Sequence, residues 1–279
     1  MSPRSPVSLL RDAYRSLGRI ESDVGELSER VRRLQEGLRA LAANEVGNRA
    51  RLEALRGDPD YELAWTESRP MISVTVATIG RPELTELALP SILGQSYGEL
   101  EVIVAGDGAG DGTEDAVRAL GDDRLRYLDL GPRVLWTDDL RKQWLVGATR
   151  ARNAAMSAAG GRWVVCFDDD DAMRPRCLEL LLELARAQRA EAPYGQVAAH
   201  REDAVNEFCS YPPREHRFSW AGGMYHAGLR FFERELLAAD LDLPGDWWLA
   251  ERMLRAGVRF AMREEVLSDI YPSGRAEER

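Results

Sequence analysis

Apolar residues recur three and four positions apart near the start of the chain, at Leu17, Ile20, Val24, Leu27, Val31, Leu34, Leu38 and Leu41. That spacing is the a/d rhythm of a coiled coil, in which one stripe of a long helix seeks a partner. Carrying the register forward places Glu45 and Asn48 in the seam before Leu52 and Leu55 restore it. The stripe predicts either self-association into a homo-oligomer through residues 17–55 or a helix laid against the chain's own downstream domain. Gly57, Asp58, Pro59 and Asp60 then break the helix, and residues 61–70 carry no period, reading as a linker or a packed extension.

Beyond residue 70 the pattern changes. Residues 72–77 form a β-branched run suited to a buried strand, and 82–95 follow as a helix carrying Leu84, Leu87, Leu89 and Ile92. Residues 100–105 repeat the apolar strand, closed by the glycine-rich turn from Gly106 to Gly112, with a helix at 114–120 and a short strand at 124–128. An alanine-rich helix at 149–159 and a strand at 163–167 continue the alternation. Such alternation specifies an α/β fold, a Rossmann-like and mostly parallel sheet with helices on both faces. Ligands on such sheets bind beyond the carboxyl ends of the strands.

Composition narrows the partners. A chain of 279 residues with 44% hydrophobic content supports one or two domains with a full core. A formal net charge of -10 argues against nucleic acid, whose phosphates need clustered Lys and Arg. An anionic ligand held in an acidic pocket would need a cation between them. Cys166, Cys177 and Cys209 form no C-x-x-C pair, which points away from a disulfide framework or zinc knuckle and toward a reducing, cytoplasmic setting. No apolar run approaches the roughly 20 residues that span a bilayer, and residues 1–19 lack a signal-peptide core, so membrane proximity is expected only through a partner.

Two acidic groups fall where the sheet rule places ligands: Asp107 after the second strand, and Asp168, Asp169, Asp170 and Asp171 directly after the strand at 163–167. Adjacent carboxylates repel one another unless a cation or hydrogen-bond donors offset the repulsion. A hard divalent ion with oxygen ligands is the natural partner, and a solvated acidic loop is the alternative.

The order of motifs resembles the family 2 glycosyltransferases. The matching stretches are Ser73-Val74-Thr75-Val76-Ala77-Thr78-Ile79-Gly80-Arg81-Pro82, then Ser91 to Tyr97, then Glu101-Val102-Ile103-Val104-Ala105-Gly106-Asp107-Gly108, and Ala151-Arg152-Asn153 ahead of the Asp run. The resemblance covers about residues 71–267 and implies a GT-A domain, which binds nucleotide-diphosphate sugars (a UDP-sugar or another such donor). It implies that Thr78, Arg81, Asp107 and Asp169 line the nucleotide pocket, that Asp168 and Asp170 form an Asp-x-Asp motif holding Mn2+ or Mg2+, and that Arg152 neutralises diphosphate oxygens or caps its loop. Where the family often reads Asp-Asp-Gly-Ser-Thr-Asp, this chain has Gly106-Asp107-Gly108-Ala109-Gly110-Asp111, losing one carboxylate and two hydroxyls.

The resemblance also implies a catalytic base. Gly245-Asp246-Trp247-Trp248, with Arg252 and Gly257, matches the family's acidic segment, and the remaining carboxylate, Asp246, is the candidate. One base suffices for a direct displacement with inversion, whereas a glycosidase needs two carboxyl groups. The alternative for Asp246 is a helix N-cap. Trp247 and Trp248 would stack an acceptor sugar, with one of them in the core, and Gly223, in the small-residue stretch from Ser219 to His226, would face the acceptor. His200, His216 and His226 read as surface or packing residues.

The expected layout is a helical coiled-coil segment at 1–56, a linker at 57–70, a GT-A domain at 71–272 and a tail at 273–279. The expected activity is metal-dependent, inverting sugar transfer to a glycan, lipid-linked or small-molecule acceptor. A non-catalytic coiled-coil scaffold with a nucleotide-binding domain is the second reading. A nucleotidyltransferase ranks last, because Ala77-Thr78-Ile79-Gly80-Arg81 supplies little to hold a triphosphate.

Overall fold

The computed structural model describes residues 6–110, 112–201 and 203–272. Residues 1–5, Asp111, the expected tail at 273–279 and the side chains of the seam residues Leu17, Ile20 and Leu41 lie outside the described set. Helix α1 runs Pro6–Arg56, and the chain divides after Asn44 into two compact units.

The predicted stripe has two fates. In the first unit Val24, Leu27, Val31, Leu34 and Leu38 are exposed, at 38% to 62%. In the second, Leu52 is buried in the core and Leu55 packs against it. Arg56 fixes the end of the helix by a two-pronged pair to the buried Glu191, with both donor distances 2.8 Å. Part of the stretch expected as a linker or packed extension is packed, while Ser68 and Arg69 are exposed. A 3₁₀ turn at Pro59–Glu62, capped by the Asp58 carboxylate, and α2 at Leu63–Thr66 bury Tyr61, Ala64 and Trp65. The Trp65 ring stacks on His226 at 5.1 Å.

Strand β1 spans Ile72–Thr78. The helix expected next is split into a wide π-type turn at Leu84–Ala88 and α3 at Leu89–Leu93. Pro90 has no N–H to give the carbonyl four residues back, so the regular ladder cannot pass through it. The chain continues as β2 (Leu100–Gly106), α4 (Gly112–Ala119), β3 (Leu125–Asp129), α5 (Leu140–Val146), α6 (Thr149–Ala158) and β4 (Trp163–Asp168). Then come β5 (Ala172–Met173), α7 (Cys177–Gln188), β6 (Ala192–Arg201), β7 (Ala204–Glu207) and β8 (Tyr225–His226). The last elements are α8 (Leu237–Asp240), α9 (Gly245–Ala256) and β9 (Phe260–Ile270).

The main sheet has the order β3-β2-β1-β4-β8, its first four strands parallel and β8 antiparallel to β4. Alternate residues of β4 feed two separate cores, as a strand covered on both faces requires. Val164 and Cys166 pack with Ala151, Ala155 and Met156 of α6, whereas Val165 and Phe167 pack with Leu178 and Leu181 of α7 and with Leu84 and Ile92.

A second sheet, β5-β9-β6-β7, was not legible in the hydrophobic pattern. Pro193 and Gly195 interrupt β6, and Arg263, Glu264 and Glu265 charge the middle of β9. Gly195 is there for close packing, since a Cβ at that position would sit 2.6 Å from Leu267 Cδ1.

Candidate active site

Parallel pairing sets the carboxyl ends of three strands at one level. Thr78 lies opposite Gly106 across β1 and β2, and Ala77 lies opposite Asp168 across β1 and β4. Thr78, Asp107 and the Asp run therefore leave the same edge of the sheet, as strand topology demands. They open into a cleft of about 500 Å³ that is also lined by Arg81, Arg152 and Asp246.

The Asp carboxylates differ in surroundings. Asp169 is buried, accepting from Thr78 Oγ1 at 2.6 Å and from Arg81 Nη1 at 2.7 Å. Arg81 reaches Asp170 with the same nitrogen at 2.5 Å. Gly80 holds the intervening loop at φ +89, and a Cβ there would meet the Ala109 carbonyl oxygen at 2.1 Å. The Asp168 side chain is 39% exposed and pairs with Arg152. Asp171 is buried and accepts the Tyr271 N–H at 3.2 Å.

Two guanidiniums thus face four carboxylates, and the excess negative charge is felt. Burial, together with Asp168 and Asp169, pushes the Asp170 carboxyl up to about 6 against the pull of Arg81. Burial also raises Asp171, with Asp168 and Asp170 adding to it, and raises Asp169 despite Thr78 and Arg81. Among the described residues no three His, Cys, Asp or Glu side chains converge to cage an ion unaided. The set nonetheless suits a hard divalent ion. Asp168 and Asp170 offer oxygen donors on the cleft wall, charge remains to be neutralised, and Mg2+ and Mn2+ take their other ligands from phosphate oxygens and water.

Asp107 leaves β2 with its backbone N–H on the Thr78 carbonyl at 2.9 Å. Its Oδ1 accepts from Arg150 Nη1 at 2.8 Å, and Arg150 also donates to the carbonyls of Leu130 and Pro132. Arg150 stands two positions before Arg152 on α6, and no motif in the sequence marks it.

Asp246 sits in the first turn of α9, with Pro244 at the cap position. Its side chain leaves the helix end and enters an ion-pair network. Arg152 Nη1 donates to Asp246 Oδ1 at 2.9 Å while Nη2 holds Asp168, so one guanidinium spans the two acids. Arg234, whose side chain is only 3% exposed, donates to the same Oδ1. Burial works to raise the Asp246 carboxyl, but Arg234 and Arg152 outweigh it and hold it below the usual carboxylate range. Nothing in the pattern around Phe231-Phe232-Glu233-Arg234-Glu235 marks Arg234, because its partners are distant in sequence.

The expected acceptor residues lie away from the cleft lining. Trp248 is buried and donates through Nε1 to Glu235 Oε2 at 3.0 Å, while Trp247 packs against the core. Gly223 is buried against Tyr194 and Trp220. Phe208, Phe218, Ser219 and Trp144 line the cleft instead. Arg252 does not reach Asp246; it pairs with Glu235 and donates to the Glu233 carbonyl. His226 packs against Trp65, His200 pairs with Asp269 at 2.8 Å, and His216 is exposed beside Glu215.

The family model for glycosyl transferase family 2 matches residues 73–239, more than half of the chain. The succinoglycan biosynthesis protein ExoO of Rhizobium meliloti is 32% identical over 137 residues, 49% of this chain and 34% of that protein. A GalNAc(5)-diNAcBac-PP-undecaprenol beta-1,3-glucosyltransferase of Campylobacter jejuni is 32% identical over 140 residues, 50% of this chain and 41% of that one. The chain thus matches less than half the length of these relatives. Among solved structures, the mannosyltransferase PcManGT of Pyrobaculum calidifontis, in complex with GDP-Man and Mn2+, superposes with a TM-score of 0.54 at 21% identity, over 85% of this chain and 68% of that one. S. aureus TarS residues 1-349 in complex with UDP superposes with a TM-score of 0.56 at 16% identity, over 73% of this chain and 61% of that one. Both share the fold.

Proposed function

Because this chain belongs to glycosyl transferase family 2, we propose that it transfers a sugar, with inversion, from a nucleotide-diphosphate donor to an acceptor hydroxyl in the cleft between the Asp run and Asp246. The observation that carries this reading is the Arg152 guanidinium, which spans Asp168 and Asp246 and so keeps the proposed base within one side chain of the Asp run. Thr78, Arg81, Asp107 and Asp169 line the same cleft and would hold the nucleotide. Asp168 and Asp170 would hold Mn2+ or Mg2+, which when bound supplies positive charge to the departing diphosphate.

Asp246 is ionised at neutral pH and takes the proton of the acceptor hydroxyl as its oxygen bonds to the anomeric carbon. The bond from that carbon to the diphosphate oxygen breaks, and its electron pair leaves with the nucleotide. A single displacement on the face opposite the leaving group inverts the centre.

A lipid-linked acceptor fits best among the three classes. The C. jejuni relative is named for an undecaprenol diphosphate acceptor. Here Val134, Leu135, Leu140 and Trp144 are exposed at 53% to 76% along the segment whose end, at Trp144 and Leu145, forms cleft wall. No helix among the described residues is long and apolar enough to cross a membrane, so such an acceptor would be met at a membrane surface. The exposed stripe of α1 would join a second copy of the chain.

A panel of UDP-, GDP- and dTDP-sugars tested for manganese-dependent hydrolysis checks this reading without a known acceptor. Turnover of one donor, abolished by Asp170→Ala with the fold intact, is expected. Full activity in that variant would sink the metal role, and nucleotide binding without turnover would favour the scaffold reading.

A further inference from the structure

Both arginines that hold Asp246 bond to one oxygen, Oδ1, and among the described residues no hydrogen bond reaches Oδ2. The two arginines are not equivalent. Arg152 lines the cleft and also holds Asp168, so a bound diphosphate competes for it. Arg234 is absent from the cleft lining and its side chain is 3% exposed, so no donor phosphate can reach it.

Its backbone is fixed from two helices. Asn153 of α6 accepts the Arg234 N–H at 3.0 Å and donates to the Arg234 carbonyl at 2.9 Å. From α9, Arg252 ties down both neighbours, through the Glu233 carbonyl and the Glu235 carboxylate. The Trp220 indole N–H donates to the Asp246 carbonyl at 3.1 Å and holds the start of α9 in the same frame.

Resting on the catalytic reading of Asp246, we propose that Arg234 is a positioning residue which keeps Asp246 Oδ1 throughout turnover, leaving Oδ2 as the oxygen that takes the acceptor proton. Arg152 then releases Asp246 when a donor diphosphate engages it, while Arg234 keeps the carboxylate ionised and aimed. The arrangement lets the donor reshape the charge around the base without letting the base rotate. It also gives a reason for a buried arginine at a position where burying a lone cation would be costly, since its charge is answered by Asp246.

The test is a double-mutant cycle on manganese-dependent hydrolysis of the nucleotide sugar turned over by the wild-type chain, with UDP and GDP affinities measured by calorimetry in manganese. Arg234→Met is expected to lower kcat roughly 100-fold or more, the scale of general-base catalysis, with nucleotide affinity changed less than about threefold. Arg234→Lys, which keeps the charge and protects the fold, is expected to recover about tenfold of that loss. In an Asp246→Asn background the Arg234 substitutions should cost almost nothing further, since they act through the residue already removed. Wild-type kcat in either Arg234 variant, or equal losses with and without Asp246, would overturn the inference alone. A wild-type chain with no turnover of any donor would overturn both it and the functional reading.

Discussion

Burial, with Asp168 and Asp169 nearby, sets the Asp170 carboxyl apart from an ordinary surface aspartate. The Asp170 carboxyl is pushed up to about 6, so the folded state disfavours the ionised form relative to the unfolded chain. That penalty is absent below the unfolded value of about 4 and grows as pH rises through about 6. Asp170→Asn should therefore raise metal-free stability at pH 8 by about 1 kcal/mol, or roughly 2–4 °C, with the gap closing toward pH 4 in thermal melts. Arg81 keeps Asp169 as a partner in that variant, so no buried cation is orphaned. The same substitution should remove any stabilisation by manganese. At this scale the Asp run was legible because four carboxylates stand together, and Thr78, Arg81 and Asp107 because motif order carried them. Arg150 and Arg234 were not, since each acquires its partner only when helix, loop and strand ends converge, and single charged residues carry no period. Motif order singled out Asp246, but its pairing with Arg152 and Arg234 was not legible.

The elements were legible where one hydrophobic period ran unbroken. Parallel strands buried on both faces announce themselves as apolar runs, and β1, β2 and β4 fell within a residue of their expected ends. The sheet containing β6 and β9 did not, because its strands carry Pro193, Gly195 and a charged middle that only pairing with each other makes tolerable. Helix α1 has one pattern and two environments. Leu52→Ala should cost about 2–5 kcal/mol in chemical denaturation, the range for emptying a buried leucine site, because Leu52 is 1% exposed. Asn substitutions at Leu27 and Leu34, both exposed, should leave the melt of the second unit unchanged but lower the mass measured by sedimentation to that of one chain. A monomeric wild type would remove the self-association reading.

At the scale of the molecule, a net charge of -10 is carried by a chain whose cleft gathers more carboxylates than cations. Such a cleft draws an anionic donor only when positive charge is brought with it, which Arg81, Arg152 and a divalent ion would supply together. The proposed chemistry makes Asp246 the base of sugar transfer in this cleft. Its most direct test is the rate of nucleoside diphosphate release from the active donor in manganese, wild type against Asp246→Asn, beside calorimetric binding of the nucleotide to both. A fall in rate of roughly 100-fold to 10,000-fold is expected, with nucleotide affinity essentially kept. An Asp246→Asn chain that turns over at the wild-type rate would contradict it.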